Sequence, residues 1–301
     1  MKGLKKIALV AAIAAAPIAS HAGMKALDDT TMGNVTGQAG VTIELETRVD
    51  IGKFTYTDEG SFSVSGIALG GAGVATGDAN TELLDELKID IDINADGDAV
   101  IHVGSMATQD LTGFGGPANA PAPIDWGMTA NTMELTAQDE SQSTTLLSRL
   151  SGHGNLSQLD IVVNNDGVGS LDLDVGFNVV DMEFDVDFLG VGVKGMKIMG
   201  ADYTETKKAL IDGGAPEAAA EAFLSTTNFA TASLSVYKGN GLGSSNETDV
   251  LRIDVSNVAM DLTIDDVIVG GTIDDVATRS IGSIALDNLV ISDTKMAVYG
   301  H

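Results

Sequence analysis

The sequence predicts a mainly β protein: long, bulged or bent antiparallel strands in a rolled sheet, a sandwich or a solenoid-like body, with one small helical insertion. Three observations predict it. The first is a recurring octet: apolar, any, apolar, two small or polar residues, apolar, any, apolar. It reads Ile253-Asp-Val255-Ser-Asn-Val258-Ala-Met260, then Leu262-Thr-Ile264-Asp-Asp-Val267-Ile-Val269, then Ile284-Ala-Leu286-Asp-Asn-Leu289-Val-Ile291. It also occurs at Phe62-Ser-Val64-Ser-Gly-Ile67-Ala-Leu69 and at Val191-Gly-Val193-Lys-Gly-Met196-Lys-Ile198. Strict alternation keeps one face of a strand in a core. In the octet the apolar phase slips by one residue at the central pair. One extra residue there restores the same inward face, as a β-bulge or a strand corner does. The second observation is clean alternation from Val41 to Ile51, with Glu44, Glu46, Arg48 and Asp50 on the other face. The third is 36 glycines against 5 prolines, which suits many tight turns. The octets start at irregular intervals, so a solenoid with one coil per repeat is not demonstrated.

Met1 to Ala22 has the three parts of a secretory signal. Lys2, Lys5 and Lys6 form a basic start, Ile7 to Ala16 a short apolar run, and Ser20-His21-Ala22 a small-residue cleavage site before Gly23. Roughly ten apolar residues are too few to cross a hydrocarbon core of about 30 Å as a helix. No later segment reaches about 18 uninterrupted apolar residues, so no transmembrane helix is expected. The expected organisation is a leader at 1–22 and a β-rich domain at 23–301. That domain is placed in the periplasm, on the outer-membrane surface or outside the cell.

Within the domain, Phe54–Thr57 and Ser61–Val64 flank Asp58-Glu59-Gly60, a hairpin signal. Residues 70–80 read as a Gly/Ala-rich loop and Thr81–Leu87 as one or two helical turns. Leu87–Ile93 is a strand. Three of the four prolines outside the leader (Pro117, Pro121, Pro123) fall in a stretch without periodicity, which places an internal boundary near 112–127. Trp126, the only tryptophan, follows as a plug over the core or an exposed anchor. Gly152-His153-Gly154 reads as a loop, Leu156–Val163 as a strand. Leu171 to Phe188 alternates again, with Asp172, Asp174, Asp181, Glu183, Asp185 and Asp187 on a solvated, edge-protecting face. The helical insertion is expected at about 204–225, in two pieces separated by Gly213-Gly214 and restarted by Pro216.

The net charge of −27 comes from 16 Lys plus Arg against 43 Asp plus Glu. Loss of the three leader lysines makes the mature chain more negative still. Such a balance argues against nucleic acid and anionic membranes as partners. It favours solubility and an appetite for divalent cations. There are no cysteines, and a core of this size has no need of disulfides. The strongest chemical motif is Asp92-Ile-Asn94-Ala-Asp96-Gly97-Asp98. Oxygen ligands at positions 1, 3, 5 and 7 with Gly at 6 match the first half of a calcium loop. Val103 stands where the bidentate Glu of an EF-hand belongs, and the flanks read as strands. Asp92, Asn94, Asp96 and Asp98 are therefore either calcium ligands or the solvated acids of a hairpin turn. Calcium is the one cofactor the sequence suggests. Asn164-Asn165-Asp166-Gly167 is a second turn of the same kind, with a weaker calcium case. No G-x-S-x-G, phosphate loop, dinucleotide fingerprint or paired histidine spacing is present, and an enzyme is not expected. A carboxylate pair for glycoside hydrolysis stays open in so acidic a chain. Only 4% aromatic residues argue against a sugar-stacking groove.

Residues 27–40 read Leu-Asp-Asp-Thr-Thr-Met-Gly-Asn-Val-Thr-Gly-Gln-Ala-Gly and lead straight into a strand. This run, the tandem octets and the closing Val298-Tyr299-Gly300-His301 resemble the FilA-type pilus-system proteins, exported proteins of Gram-negative bacteria. The resemblance implies a non-enzymatic structural or adhesive envelope protein, associated with pili or filaments. Its partners would be envelope or pilus-system proteins, and whether the chain self-associates stays open. Met32, Val35, Thr36, Gly37, Gln38 and Gly40 are either a partner-recognition segment or a turn that delivers the first strand. The alternative function is a periplasmic or secreted β-protein that binds calcium or an apolar ligand. An outer-membrane barrel is disfavoured by the alternating acids and the shortage of aromatics.

Overall fold

Each long strand pairs with the next one along the chain. The computed structural model, which describes residues 40–300, therefore reads as eight lanes side by side in up-and-down order. The first lane is β1 (Val41–Thr47) and β2 (Val49–Thr57), broken only at Arg48. The second is β3 (Gly60–Gly70) and β4 (Leu84–Ile93), separated by an excursion that holds the short helix α1 (Gly73–Thr76). The third is β5 (Ala99–Ser105), then an excursion with β6 (Thr108–Gln109) and β7 (Ala120–Pro121), then β8 (Ile124–Ala137). The fourth and fifth are β9 (Ser143–Asn164) and β10 (Ser170–Val186). The sixth is β11 (Val191–Met199), then helices α2 (Tyr203–Asp212) and α3 (Glu217–Ser225), then β12 (Ala230–Gly239). The seventh is β13 (Val250–Val269). After α4 (Val276–Arg279), the eighth is β14 (Ile284–Val298).

The split lanes are settled by their neighbours. β11 and β12 both run antiparallel to β10 and to β13, end to end in one gap. β5 and β8 likewise share one flank of β9. The helices at 203–225 and the segment 106–123 are therefore excursions from the middle of a lane. Residues 40–300 form one compact unit, with no break near 112–127. All pairings are antiparallel and sequential, which selects a single meandering sheet over a sandwich or a solenoid.

The octet slip is a bulge line that crosses the sheet in register. Val193 faces Val267 and Met196 faces Ile264, so Gly195 and Asp265 lie opposite each other at the slip. Ile51 faces Ile67 and Lys53 faces Ser65, leaving Gly52 opposite Gly66. Gly66 and Gly195 have φ of 57° and 65°, the left-handed geometry in which a bulge residue sits and glycine is unstrained. Arg149, with φ 54°, takes the same role in β9. Val49-Asp-Ile51-Gly-Lys-Phe54-Thr-Tyr56 in β2 completes the same octet, with Gly52 supplying the slip.

Two apolar clusters pack against the sheet. Leu87, Val103 and Ile124 are buried against Ile89, Leu156 and Leu159. Met199, Tyr203 and Leu224 anchor the helical excursion. The excursions of the third and sixth lanes meet: Phe114 stacks on Phe223 with centroids 4.2 Å apart. Asn178, fully buried in β10, ties the second of them to the sheet. Its Nδ2 donates to the Ser225 carbonyl at 2.7 Å and the Asn228 carbonyl at 3.3 Å, and its Oδ1 accepts the Asn155 N–H at 2.9 Å.

Four local expectations change. Thr81–Leu87 is not helical: Leu84 already begins β4. Gly152-His153-Gly154 lies inside β9, where the chains cross closely. A Cβ on Gly154 would fall on the Asn178 carbonyl and 3.0 Å from the Trp126 ring, so glycine there serves packing. Trp126 is half-buried within β8, which leaves it neither a loop anchor nor an end plug. Asp185 is buried at 2% exposure, because a register shift between Glu183 and Asp185 turns it inward. There it accepts from Arg149 Nε at 2.6 Å and from the Ile273 N–H at 2.9 Å.

Candidate functional site

The first and eighth lanes close neither on each other nor on anything else among the described residues. β1 pairs only β4, β2 only β3 and β14 only β13. Each lane therefore presents a row of unpaired backbone N–H and C=O groups, which is a template for another strand. Their apolar rows are also uncovered: Val41 is 56% exposed, Phe54 51%, Val290 60% and Met296 48%. Directly opposed residues of an antiparallel pair share a face. The chain of partners Val49, Leu69, Met128, Gly152, Met182, Met196, Ile264 and Ile284 thus carries one face from edge to edge.

A second constellation lies where the helical excursion leaves the sheet. Glu205 in the first turn of α2, Asp261 between the two octets of β13 and Asp287 at the slip of β14 bring carboxylate oxygens within 4.8 Å of one another. Asp261 is 1% exposed. It accepts the Asn288 N–H at 2.7 Å, the Thr204 N–H at 3.1 Å and the Thr204 hydroxyl at 3.3 Å. Among the described residues no Lys or Arg lies within ion-pair distance of the three. Burial, followed by the negative charges of Glu205 and Asp261, pushes the Asp287 carboxyl above its usual range. Three hard oxygen donors of this kind are the ligands that calcium or magnesium takes. Beside them, under α2, lies a cavity of about 420 Å³ lined by Tyr203, Lys207, Ile211, Asp265 and Ile284 among others. Lys207 is held above its usual range: burial pulls it down, but hydrogen bonds to Glu221 and Glu217 outweigh that pull.

The sequence-derived ligands lie elsewhere. Asp92 is near the end of β4, and Asn94 to Asp98 form the turn into β5, with Gly97 at φ 94°. The Asn94 N–H donates to the Asp98 carbonyl at 2.8 Å and closes the hairpin. Asp98 Oδ1 accepts the Asn165 N–H at 3.0 Å, so this turn is tied to the Asn164–Gly167 turn beside it. The convergent carboxylates among the described residues are the triad above, not those of this turn. Met32, Val35, Thr36, Gly37 and Gln38 lie outside the described residues, as do the leader and His301. Gly40 is the first described residue and abuts the Asp92 side chain, where a Cβ would collide. His102 Nδ1 sits 2.5 Å from Asp160 Oδ1, its direct cross-strand neighbour, which makes a surface pair of β5 and β9. The triad escaped sequence reading because its members are 26 or more residues apart. The one available sign was an acid between two apolar octets.

A family model described as a family of unknown function, DUF6160, matches residues 1–95. That stretch takes in the whole of the first and second lanes. No curated protein and no solved structure matches the chain.

Proposed function

We propose that this chain is a non-enzymatic, exported structural or adhesive protein of the Gram-negative cell envelope, working with a pilus or filament system. The observation that carries the reading is the open sheet, whose first and eighth lanes each pair on one side only among the described residues and present exposed apolar rows. An exposed apolar edge of this kind is a template for pairing with another chain, which suits a structural or adhesive role. The secretory leader read at 1–22 and the resemblance of residues 27–40 support the same address. The test is fractionation of cells that make the chain, with protease added to intact cells. Recovery of a chain beginning at Gly23 in the periplasmic, outer-membrane or medium fraction is expected. Recovery from the cytoplasm alone, with the leader intact, overturns the reading.

The second reading is an exported β-protein that holds a divalent cation. Glu205, Asp261 and Asp287 favour it, three converging carboxylates with no Lys or Arg in ion-pair distance among the described residues. Calorimetric titration with calcium decides it. Saturable binding that is lost in Asp261→Asn and kept in Asp96→Ala supports the triad. The reverse pattern moves the ion to the Asp92–Asp98 turn, and no binding removes calcium from the account.

A further inference from the structure

We infer that the outer edge of β14 in one copy pairs antiparallel with the outer edge of β1 and β2 in a second copy, extending the sheet head to tail. The inference rests on the structural reading above and names its partner as the chain itself. Eight lanes in up-and-down order leave the first and eighth running in opposite senses, so a second copy added at the eighth lane continues the same alternation.

Complementarity of the two edges selects this pairing. Both edges carry the octet, Val49 to Tyr56 on one and Ile284 to Ile291 on the other. Laid antiparallel, Leu286 meets Phe54, Leu289 meets Ile51 and Ile291 meets Val49. The slip residues Asp287-Asn288 then fall opposite Lys53 and Gly52. Bulges at an edge ordinarily discourage pairing. Inside this sheet, however, slip already faces slip, at Gly52 against Gly66 and at Gly195 against Asp265. A second irregularity falls beside another: Asp293, at φ 55°, lands opposite Thr47, next to the break at Arg48 where β1 gives way to β2.

Charge follows the same register. Asp287 faces Lys53, an opposite-sign pair at the slip. Like charges opposite each other destabilise a sheet and opposite charges support it. Pairing an edge with itself loses this match. The Lys53 ammonium would also bring a cation to the acidic triad, which has none within ion-pair distance among the described residues. A pairing of this kind is heterologous and does not close on two copies, so it builds a filament or a ring. Net charge opposes it at low salt, which calls for measurement at physiological ionic strength or above.

The chain has no cysteine, which makes directed cross-linking clean. Val49→Cys and Ile291→Cys are made in separate full-length chains, exported, purified, mixed and oxidised. A disulfide dimer that forms in the mixture, and in neither variant alone, is the expected result. Dimers of Val49→Cys alone, dimers of Ile291→Cys alone, or no cross-link while circular dichroism shows both variants folded, overturn the inference. A second measurement is sedimentation of charge variants. Lys53→Glu or Asp287→Lys weakens association about two- to fivefold, and the double exchange restores it. Equal loss in the double exchange overturns the assigned register. Absence of cross-linking in a chain still recovered from the envelope fraction defeats this pairing alone. Recovery from the cytoplasm only defeats the envelope reading.

Discussion

Replacing Asn178 by Asp exchanges a single heavy atom, nitrogen for oxygen, in a fully enclosed polar contact. Asn178 has no exposed surface, and its Nδ2 serves the carbonyls of Ser225 and Asn228. Asn178→Asp keeps the shape and the acceptor for the Asn155 N–H. A protonated carboxyl still donates one hydrogen bond, so the loss at low pH is about 1 kcal/mol, the net worth of the bond removed. An ionised carboxylate would face two carbonyl oxygens in a buried site. The folded state therefore holds the proton, and the folded-state pKa of the introduced group rises. The unfolded chain releases that proton above about pH 3.9. Where the folded chain binds more protons than the unfolded one, stability falls as pH rises. The penalty grows by about 1.4 kcal/mol per pH unit until the carboxyl ionises in place. The expected loss is roughly 2–3 kcal/mol at pH 5 and about 5 kcal/mol at pH 7. Urea unfolding followed by the fluorescence of Trp126 measures it at both values. A loss below about 1 kcal/mol at pH 7, or the same loss at both values, refutes the claim that Asn178 clamps the helical excursion through its amide.

Other substitutions test the remaining joints. Leu224→Ala opens a hole against Met199 and Tyr203; a cost near 3 kcal/mol should lower the thermal midpoint by roughly 6–12 °C in differential scanning calorimetry. Asp185→Ala leaves the buried Ile273 N–H without its acceptor and Arg149 with Asp274 as its remaining acid, and about 3 kcal/mol of unfolding free energy should be lost in denaturant titration. Asp287→Asn relieves repulsion from Glu205 and Asp261. It should raise the thermal midpoint at pH 7 in the absence of divalent cations. The gain should shrink as pH falls toward the ordinary carboxylate range, because the native carboxyl is then protonated in both states.

The octets made the strands and their bulges legible before any coordinates, because alternation and its slip are local properties of a half-buried strand. All five octets are strand segments, and the slips at Gly66 and Gly195 face those at Gly52 and Asp265 in the neighbouring lanes. Val49–Tyr56 is harder to see in the sequence because Gly52 and Lys53 look like the end of a strand. The helical insertion was legible from Gly213-Gly214 and Pro216, which bracket two amphipathic runs. Adjacency was not legible. Nothing in β11 announces that β12 resumes its lane 30 residues later, since the neighbours that decide it are β10 and β13. Glycine misled at Gly152 and Gly154, where its small size serves a close crossing and not a turn. Asp185 misled because one register shift reverses the face of everything after it. The triad could not be read, since its three acids meet only once α2 is laid over β13 and β14.

Strictly sequential lanes give the molecule a nearly one-dimensional cooperativity. Each lane is held by the two beside it, so stability is a sum of intrinsic and neighbour contributions, as in a repeat array. The middle lanes have further ties: Phe114 on Phe223, and Asn178 holding Ser225 and Asn228. The outer lanes have one neighbour each. Amide exchange should therefore be slowest through β9 and β10 and fastest in β1, β2 and β14, a gradient of opening that falls from the centre to both margins.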